Sequence, residues 1–413
     1  LEKVLPEREI RSVYLAYLLS KQEYDKASRL VRFMRYKEEA WMALNRSLYE
    51  MELDEVRKIL TAKGEIIPRR DRVEALRRLH AYEEALHLAS EKLEQSPYDY
   101  RLYKQLRDLT MEHANKVEVA QTLQTRKGYK ELRGDYGVVF RDEERGLSLQ
   151  FFASHMKPLE RDGATLKKAP EGYVLGTKLL GRRERSSFEL SVGVFQRLNS
   201  VPFFEARVTS EHIKRTQLSL KVGKNVQANE TLYLYLGGKK DYVIGSARHN
   251  ITGRTSLYME LERSIFEAQD GTKLGTGTRF YTLLSHYLRF GYPDIQLRAY
   301  GQLADYSQTG KVGNIQRILP GNFQVMPQSY SLLGFGFSVG YINRDYYTRV
   351  WRPFFGFDMG VNSRYGGFYA FSLGAGGLIF DKDHLTLELD FSRNTGSVQE
   401  SVLDLQLRYR RWF

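Results

Sequence analysis

The stretch "HLTLELDFSR", residues 384–393, alternates between large apolar and polar side chains. The odd positions from 385 to 391 are Leu, Leu, Leu and Phe, whereas the even positions from 386 to 392 are Thr, Glu, Asp and Ser. Because successive side chains of a strand point to opposite faces, this pattern predicts a β-strand with one apolar and one polar face. The same organisation recurs in "SLLGFGFSVGYI" (331–342), where glycines replace most of the polar residues.

The alternation continues from about residue 135 to the end of the chain, in segments of roughly ten residues, the length at which a tilted strand crosses a bilayer. A soluble β-sandwich also alternates, but its outer face carries a solvated mixture of Lys, Glu and Thr. Here the polar positions are small or charged, and the large apolar face recurs in too many strands for one sandwich core. The pattern predicts a closed transmembrane barrel with an apolar outer wall and a polar lumen, because an open sheet edge would leave backbone groups unpaired in lipid.

The preferred division of this region gives sixteen antiparallel strands, and an even number places both ends of the barrel on the same side of the membrane. The strands are expected at 135–143, 145–156, 172–182, 184–196, 202–212, 214–224, 229–238, 240–250, 253–265, 274–290, 293–306, 328–342, 349–361, 367–380, 383–394 and 399–413.

On this count the turns 291–293 and 381–383 face the periplasm, and the stretch 307–327 forms an outer loop. The segment 157–172 also falls on the periplasmic side, where loops are expected to be short. Two interpretations remain open: a strand has been miscounted upstream, or this basic loop folds inward as a plug or gate.

Residues up to about 125 follow a helical period. A similar unit recurs at 23–31, 52–60 and 81–89, each time with an acidic turn followed by a small or β-branched residue. Such a residue lets the second helix of a hairpin approach the first. These packing residues are Ala27, Val56 and Ala85, and the last unit is followed by Pro97.

The last of these units resembles the tetratricopeptide repeat, in which a proline marks the end of the second helix. The alternative is a generic stack of helical hairpins, since the spacing is shorter than the standard period of about 34 residues. In either case the helices present a protein-binding surface. The expected fold class is therefore α + β, with helical repeats over 1–130 and a sixteen-stranded antiparallel barrel over 131–413.

The composition excludes several classes of protein. The chain has no Cys, which excludes a disulfide-stapled fold. Its net charge of +13 is spread over both halves rather than focused in one arm, so nucleic acid is not an expected partner. No run approaches the roughly 20 apolar residues of a membrane helix. The chain begins "LEKVLPEREI" without a signal peptide or an initial Met, and is expected to be a piece of a longer protein.

Catalysis, cofactors and metals are not expected. The histidines of the barrel region are scattered, and no Gly-x-Ser-x-Gly, His-Glu-x-x-His, phosphate-loop or calcium-loop pattern is present. Neighbouring pairs such as Ser154–His155 would point to opposite faces of a strand.

The polar faces of the strands supply candidate lumen residues. These are Glu189, Lys221, Glu260, Glu262, Arg298, Arg352, Asp358, Glu388, Asp390, Asp404, Arg408 and Arg410. Most are expected to form charge pairs across strands, while together they describe a hydrated, charged passage. Candidate gate residues are Lys157, Arg161, Lys167, Lys168 and Arg317.

Periplasmic repeats followed by a barrel resemble the outer-membrane exporters of bacterial exopolysaccharides. Within that class the stretch "GDYGVVFRDEERGLSLQFF" (134–152) and the ending "YRRWF" look like the PelB family, exporters of the Pel polysaccharide. The cellulose and poly-N-acetylglucosamine exporters share the architecture and are the alternatives. A general diffusion porin and an assembly scaffold explain only one half of the chain each.

The PelB resemblance implies the C-terminal portion of an exporter in the bacterial outer membrane, with its repeats in the periplasm. It implies a ring of the lipoprotein PelC, recruitment of the modification enzyme PelA by the repeats, and a cationic amino-sugar polymer as cargo. A cationic cargo favours an acidic path. The barrel is net basic, which departs from that logic, although a strip of Glu260, Glu262, Glu388 and Asp390 could provide such a path.

The last residues also resemble a known signal. Tyr409 and the terminal Phe413 are similar to the C-terminal aromatic pattern by which the barrel-assembly machinery recognises its clients. Arg411 departs from this pattern, because such signals usually carry an apolar residue there.

Overall fold

The computed structural model describes residues 7–21, 23–34, 38–50, 52–95, 98–126, 128–142, 145–183, 185–321, 324–345, 347–380 and 382–413. Within these ranges an N-terminal helical region is followed by a closed antiparallel barrel of sixteen strands. None of the described helices combines the length and the apolar character needed to cross a bilayer.

The helical region ends at His113. Its helices are α1 (Glu7–Ser20), α2 (Tyr24–Met34), α3 (Ala40–Tyr49), α4 (Leu53–Lys63), α5 (Arg69–Arg78), α6 (Tyr82–Gln95) and α7 (Tyr100–His113). Three of the expected packing residues lie in the even-numbered helices and are fully buried: Ala27 in α2, Val56 in α4 and Ala85 in α6. Each belongs to a separate apolar cluster between neighbouring helices. Pro97 lies outside the described residues.

The barrel strands are numbered in chain order. They are β1 (Lys116–Arg126), β2 (Tyr129–Asp142), β3 (Leu147–Arg161), β4 (Gly172–Arg183), β5 (Ser186–Gln196), β6 (Ser200–Ile213), β7 (Thr216–Gln227), β8 (Gly238–Asn250), β9 (Thr255–Ala268), β10 (Lys273–Arg289), β11 (Ile295–Gln308), β12 (Tyr330–Val339), β13 (Arg352–Asn362), β14 (Gly366–Gly377), β15 (Asp383–Arg393) and β16 (Ser401–Trp412). Each strand pairs with its neighbours in the chain, and β1 pairs with β16 to close the barrel.

Strand β1 is missing from the sequence-based division, which assigns residues 1–130 to the helical repeats. The structure places Lys116–Arg126 in the barrel, so the barrel begins before residue 131. The strand follows α7 almost at once and is polar at many positions on both faces, which weakens its alternating pattern.

The expected strand at 229–238 is instead a short helix, α8 (Leu232–Gly237). The Thr231 side chain caps its start by accepting a hydrogen bond from the backbone N–H of Leu234 at 3.2 Å. Both the Leu and the Tyr positions of "LYLYL" contribute buried residues, because the helix is packed on all sides. Alternation therefore marks a fully buried helix here rather than a two-faced strand.

These two errors cancel in the strand count, so the prediction of sixteen strands is confirmed. The two errors do, however, change the end of the barrel at which some loops lie. The helix-side end of the barrel is the end near Lys116 and Trp412, and the far end is the opposite one. The extra upstream strand moves the loop after β3 to the far end, away from the helices. The turn at 291–293 lies at the helix-side end, as expected. The described part of the stretch 307–327, residues 307–321 and 324–327, lies at the far end.

The outer wall is apolar along the alternating positions. In β12 the outward side chains of Leu333, Phe335 and Phe337 are exposed, whereas the even positions between them are buried. Tyr341, expected on the same apolar face, is turned inward after Gly340, whose φ of +72° bends the chain. Its hydroxyl contacts the Ser372 hydroxyl on the inner wall.

Candidate functional site: the barrel lumen and its far-end cap

The acidic residues expected in the lumen lie on the inner wall, and most are neutralised by a neighbouring base. Glu260 and Glu262 of β9 each accept a hydrogen bond at 2.8 Å from Arg279 of β10. Glu262 also binds Lys240 of β8 at 2.8 Å. The alternation of the sequence predicts both glutamates on the lumen side, but it does not identify their basic partners, Arg279 and Lys240, as lumen residues.

The same pairing holds on the opposite part of the wall. Arg298 of β11 binds Asp358 of β13 at 2.9 Å. Glu388 of β15 is 1% exposed and binds Arg344 at 2.9 Å. Arg344 belongs to a short helix, α9 (Ile342–Asp345), that enters the lumen from the helix-side end. The guanidinium of Arg352 lies 4.5 Å from the centre of the Tyr292 ring.

Four further ion pairs involve residues of the expected set. Glu189 binds Lys178 at 2.8 Å, and Lys221 binds Glu205 at 2.7 Å. Arg408 and Arg410 of β16 approach Glu118 of β1 at 3.9 and 3.4 Å, across the seam that closes the barrel. Glu118 could not be assigned to the lumen from the sequence because its strand was not recognised.

Asp390 and Asp404 differ from these pairs. They lie directly opposite each other on β15 and β16, beside a cavity of about 180 Å³ that Asp358 also lines. Within the described residues neither of these two aspartates forms an ion pair. The expected acidic residues that lack an ion pair therefore lie together at this part of the wall, whereas Glu260, Glu262 and Glu388 are each bound by a base.

A larger lumen cavity of about 600 Å³ lies toward the far end, bounded by strands β6 to β12, by β15, β16 and β1, and by the connection between β15 and β16. A second cavity of about 440 Å³ lies against strands β1 to β7. Both are lined by charged and aromatic side chains, so the lumen is polar but not uniformly charged.

Three segments close over the far end and form what we term the cap: residues 162–171, 228–237 and 309–321 with 324–329. Their apolar side chains share one buried cluster with residues of the barrel wall. Its fully buried cap residues are Leu166, Ala228, Leu234, Leu236, Ile315 and Ile318.

Hydrogen bonds connect the cap segments directly. The backbone N–H of Lys167 donates to the carbonyl of Ile318 at 2.9 Å. The Tyr233 hydroxyl donates to the carbonyl of Thr165 at 3.2 Å, and the Thr231 hydroxyl donates to the carbonyl of Val325 at 2.8 Å. The loop after β3, expected as a plug or gate, and the long loop after β11, expected as an outer loop, are thus parts of one assembly with α8 between them.

A buried ion pair fastens this cap to the wall. Arg197, after β5, binds Glu131 of β2 at 2.8 Å, and the two side chains are 0% and 1% exposed. The Tyr235 hydroxyl of α8 donates to Glu131 at 2.6 Å, and the Arg197 guanidinium lies 4.6 Å from the centre of the Tyr235 ring. Neither charged residue was singled out from the sequence, because a lone Glu and a lone Arg far apart in the chain give no recognisable pattern.

The basic residues expected to gate the pore lie outside the apolar contact of the cap. Lys157 and Arg161 belong to β3, and Lys167, Lys168 and Arg317 have exposed side chains. Arg161 donates a hydrogen bond to the carbonyl of Leu166 at 2.9 Å and so supports the loop. Apolar packing, rather than these charged side chains, holds the cap segments together.

The two residues of the expected insertion signal lie at the helix-side end. Tyr409 donates a hydrogen bond to Asp383 at 3.2 Å. Phe413 is exposed, its ring centre lies 6.3 Å from that of Phe140, and its backbone N–H donates to the carbonyl of Asn115 at 3.0 Å.

The helices contact consecutive turns of the helix-side end. Glu50, at the end of α3, binds Lys214 of the β6–β7 turn at 3.0 Å. Asp54 of α4 binds Arg185 of the β4–β5 turn at 2.9 Å. The Arg254 side chain of the β8–β9 turn donates to the carbonyl of Lys21 at 2.7 Å. The helical region is therefore fixed to the rim by charged and polar contacts.

The family model described as PelB, C-terminal beta barrel domain, matches residues 132–412. The comparison with curated protein sequences gave no match. Among solved structures, a bacterial polysaccharide outer membrane secretin superposes with a TM-score of 0.55 at 9% identity, covering 73% of this chain and 99% of its own. At that identity the likeness shows the fold alone.

Two porins also superpose, with lower scores. OccK3 (OpdO) of Pseudomonas aeruginosa has a TM-score of 0.40 at 12% identity, covering 75% of this chain and 98% of its own. A BenF-like porin from Pseudomonas fluorescens Pf-5 has a TM-score of 0.39 at 7% identity, covering 73% and 98%.

Proposed function

Because the chain belongs to the PelB C-terminal β-barrel family, we propose that it is an outer-membrane channel through which an exopolysaccharide of the Pel type leaves the cell. The barrel spans the outer membrane, and the helices lie in the periplasm as a docking platform. Conduction through the barrel is passive, and the driving force comes from the site of polymer synthesis.

The observation that carries this proposal is the contrast between the two faces of one closed wall. Large apolar side chains are exposed on the outside, as at Leu333, Leu387 and Leu405, while paired charges and cavities occupy the inside. A barrel of this strand number encloses a water-filled passage and leaves no sheet edge in lipid.

The partners follow from the family and remain part of the proposal. The cargo is the polysaccharide, a PelC ring surrounds the periplasmic entrance, and the helices recruit PelA. The barrel-assembly machinery inserts the chain through the pattern at Tyr409 and Phe413. The helices are read as tetratricopeptide-like repeats on the basis of their hairpin packing around Ala27, Val56 and Ala85.

The acidic path expected for a cationic polymer is proposed at one residue of the original strip, Asp390, together with Asp404, which was not part of that strip. Glu260, Glu262 and Glu388 are each bound by a base. Asp390 and Asp404 form no ion pair with any described residue and face each other on the wall. They are the acidic residues that we propose to contact the cargo.

Two alternatives belong to the same architecture. An exporter of another polysaccharide, of the cellulose or poly-N-acetylglucosamine type, would use the same barrel with a different cargo. A general diffusion porin would leave the far end open, whereas the cap packs across the far end of this barrel. The cap is the observation that favours an exporter.

The test is complementation of a strain from which the encoding gene has been deleted. The full-length protein should restore secretion of the polymer, measured by staining and by sugar analysis of the medium, without raising uptake of small antibiotics. A porin would give the opposite result, with increased uptake and unchanged secretion. Asp390→Asn/Asp404→Asn should reduce secretion while the barrel still assembles, and Lys167→Gln/Lys168→Gln serves as a surface control.

A further inference from the structure

Aromatic side chains of the inner wall form a row that neither the cap nor the ion pairs explain. Tyr258 of β9, Tyr281 of β10 and Tyr300 of β11 all face the lumen, on the opposite parity to the exposed Met259, Phe280 and Leu297. The ring centres of Tyr258 and Tyr281 lie 6.2 Å apart, and those of Tyr281 and Tyr300 lie 6.4 Å apart. The Phe368 ring of β14 continues the row at 6.2 Å from Tyr300.

The strand register places this row across the wall. Tyr258 pairs with Leu283, which pairs with Tyr300. The same line runs on through Gly334 and Gly360 to Phe368. It crosses from β9 to β14, or five strand spacings of about 4.8 Å. Because barrel strands tilt by about 35–45°, a line of roughly 24 Å across them climbs about 15 Å along the barrel axis.

The two glycines on this line give the rings their position. A Cβ atom at Gly334 would lie 2.6 Å from the Phe368 ring and 2.7 Å from the Tyr300 ring. A Cβ atom at Gly360 would lie 2.6 Å from the Phe368 ring. The rings therefore lie against bare backbone, where any larger residue would push them into the passage.

The tyrosines differ in whether their hydroxyl groups form hydrogen bonds within the protein. The Tyr258 hydroxyl donates to Glu260 at 2.5 Å. Tyr281 and Tyr300 are partly exposed, and no residue in the described part of the chain hydrogen-bonds to their hydroxyls. The nearby charges of Arg298 and Asp358 are bound to each other at 2.9 Å. This part of the wall thus offers flat apolar rings with free hydroxyls and little net charge.

We propose that Tyr281 and Tyr300, with Tyr258 and Phe368 beside them, form a stacking platform for the pyranose rings of the exported chain. The C–H face of a sugar ring packs on an aromatic ring, while the free phenol groups exchange hydrogen bonds with the sugar hydroxyls. Recognition at this site depends on the shape of an uncharged sugar, not on amino groups. The inference rests on the proposed function, since it assigns a contact for the same cargo.

Equilibrium binding tests the platform without requiring an open channel. The purified full-length chain in detergent micelles is titrated calorimetrically with hexa-N-acetylchitohexaose, a neutral linear oligosaccharide, at constant ionic strength. Tyr281→Ala/Tyr300→Ala should weaken binding about tenfold, or about 1.4 kcal/mol, because it removes both stacking rings. Tyr281→Phe/Tyr300→Phe should retain most of the affinity because it keeps both rings.

The matched control is Phe280→Ala, on the same strand but on the outer face, which should leave the affinity unchanged. Closure of each variant barrel is checked by its resistance to unfolding in unheated dodecyl sulfate. No binding by the unaltered protein, or equal affinity of the alanine double variant, would overturn the platform. Equal losses in the alanine and phenylalanine variants would also overturn it, by assigning the contact to the hydroxyls. None of these results bears on the channel itself, which the secretion test addresses.

Discussion

Arg197 and Glu131 form a buried ion pair at the contact between the barrel wall and the cap. The pair lies where the wall meets the cap, and Tyr235 from α8 binds both members. A charge that loses its partner in such a place is strongly destabilising, whereas replacing both members by apolar residues is often tolerated. The pair therefore ties the cap to one position on the wall.

Arg197→Met should lower the free energy of unfolding by about 3 kcal/mol, because it leaves the Glu131 carboxylate buried beside two tyrosine hydroxyls. Arg197→Met/Glu131→Met should recover most of this loss. The measurement is urea unfolding of the barrel in detergent micelles, with Lys178→Met as a control at a partly exposed pair. Additive losses in the double variant would contradict the assignment.

His80 provides a pH dependence at the contact between helices and barrel. Burial, and then the charge of Arg182, lowers the pKa of His80 to about 4. The unfolded chain binds this proton below a pKa of about 6.5. Between these two values the unfolded state carries more protons than the folded state, so stability falls as the pH is lowered from 6.5 to 4.

His80→Asn should reduce the loss of stability between pH 6.5 and 4. Asparagine also tolerates the backbone φ of 60° at this position. Thermal unfolding followed by the helical circular dichroism signal at several pH values measures the difference. Lowered pKa values of carboxyl groups such as Glu50 also make the helices less stable in acid, because their stabilisation is lost as the pH falls through the folded pKa. The contribution of His80 is the part of the dependence of stability on pH that disappears in the variant. An unchanged dependence would rule out this contribution.

At the level of elements, the strands with a strong difference between their faces could be predicted from the sequence. β12 and β15 are examples, because their outer positions are uniformly large and apolar. β1 could not, since polar residues occupy positions on both of its faces. α8 could not either, because both its Leu and its Tyr positions contribute buried residues, which removes the link between period and face. The ion pairs of the lumen depend on the register between neighbouring strands, and this register cannot be read from a single sequence.

The loop after β3 is the cap segment most open to a test. Replacing residues 163–170 by a short Gly-Ser linker removes Leu166 from the buried cluster and breaks the hydrogen bond between Lys167 and Ile318. Single-channel conductance in planar bilayers should rise several-fold. Lys167→Gln/Lys168→Gln should leave it unchanged, because those side chains are exposed. Equal conductance of the linker variant and the unaltered protein would show that this loop does not close the passage.

For the whole molecule, the position of the helices at one end and the cap at the other predicts an orientation in the membrane. The chain contains no cysteine, so single cysteines report unambiguous positions. Lys168→Cys, in the cap, should react with an impermeant maleimide added to intact cells. Lys58→Cys, on an exposed part of α4, should react only after the outer membrane is permeabilised. The reverse pattern would place the helices outside the cell.

The seam between β1 and β16 has a consequence for how the barrel forms. Gln406 and Thr122 meet across it although 284 residues separate them in the chain. All other strand pairings join neighbours in the chain and can form as local hairpins. Loop-closure entropy grows only as the logarithm of the enclosed length, and each hairpin formed beforehand shortens the flexible segment that remains. We therefore expect the hairpins to form first and the seam, whose contacts are farthest apart in the chain, to be joined last.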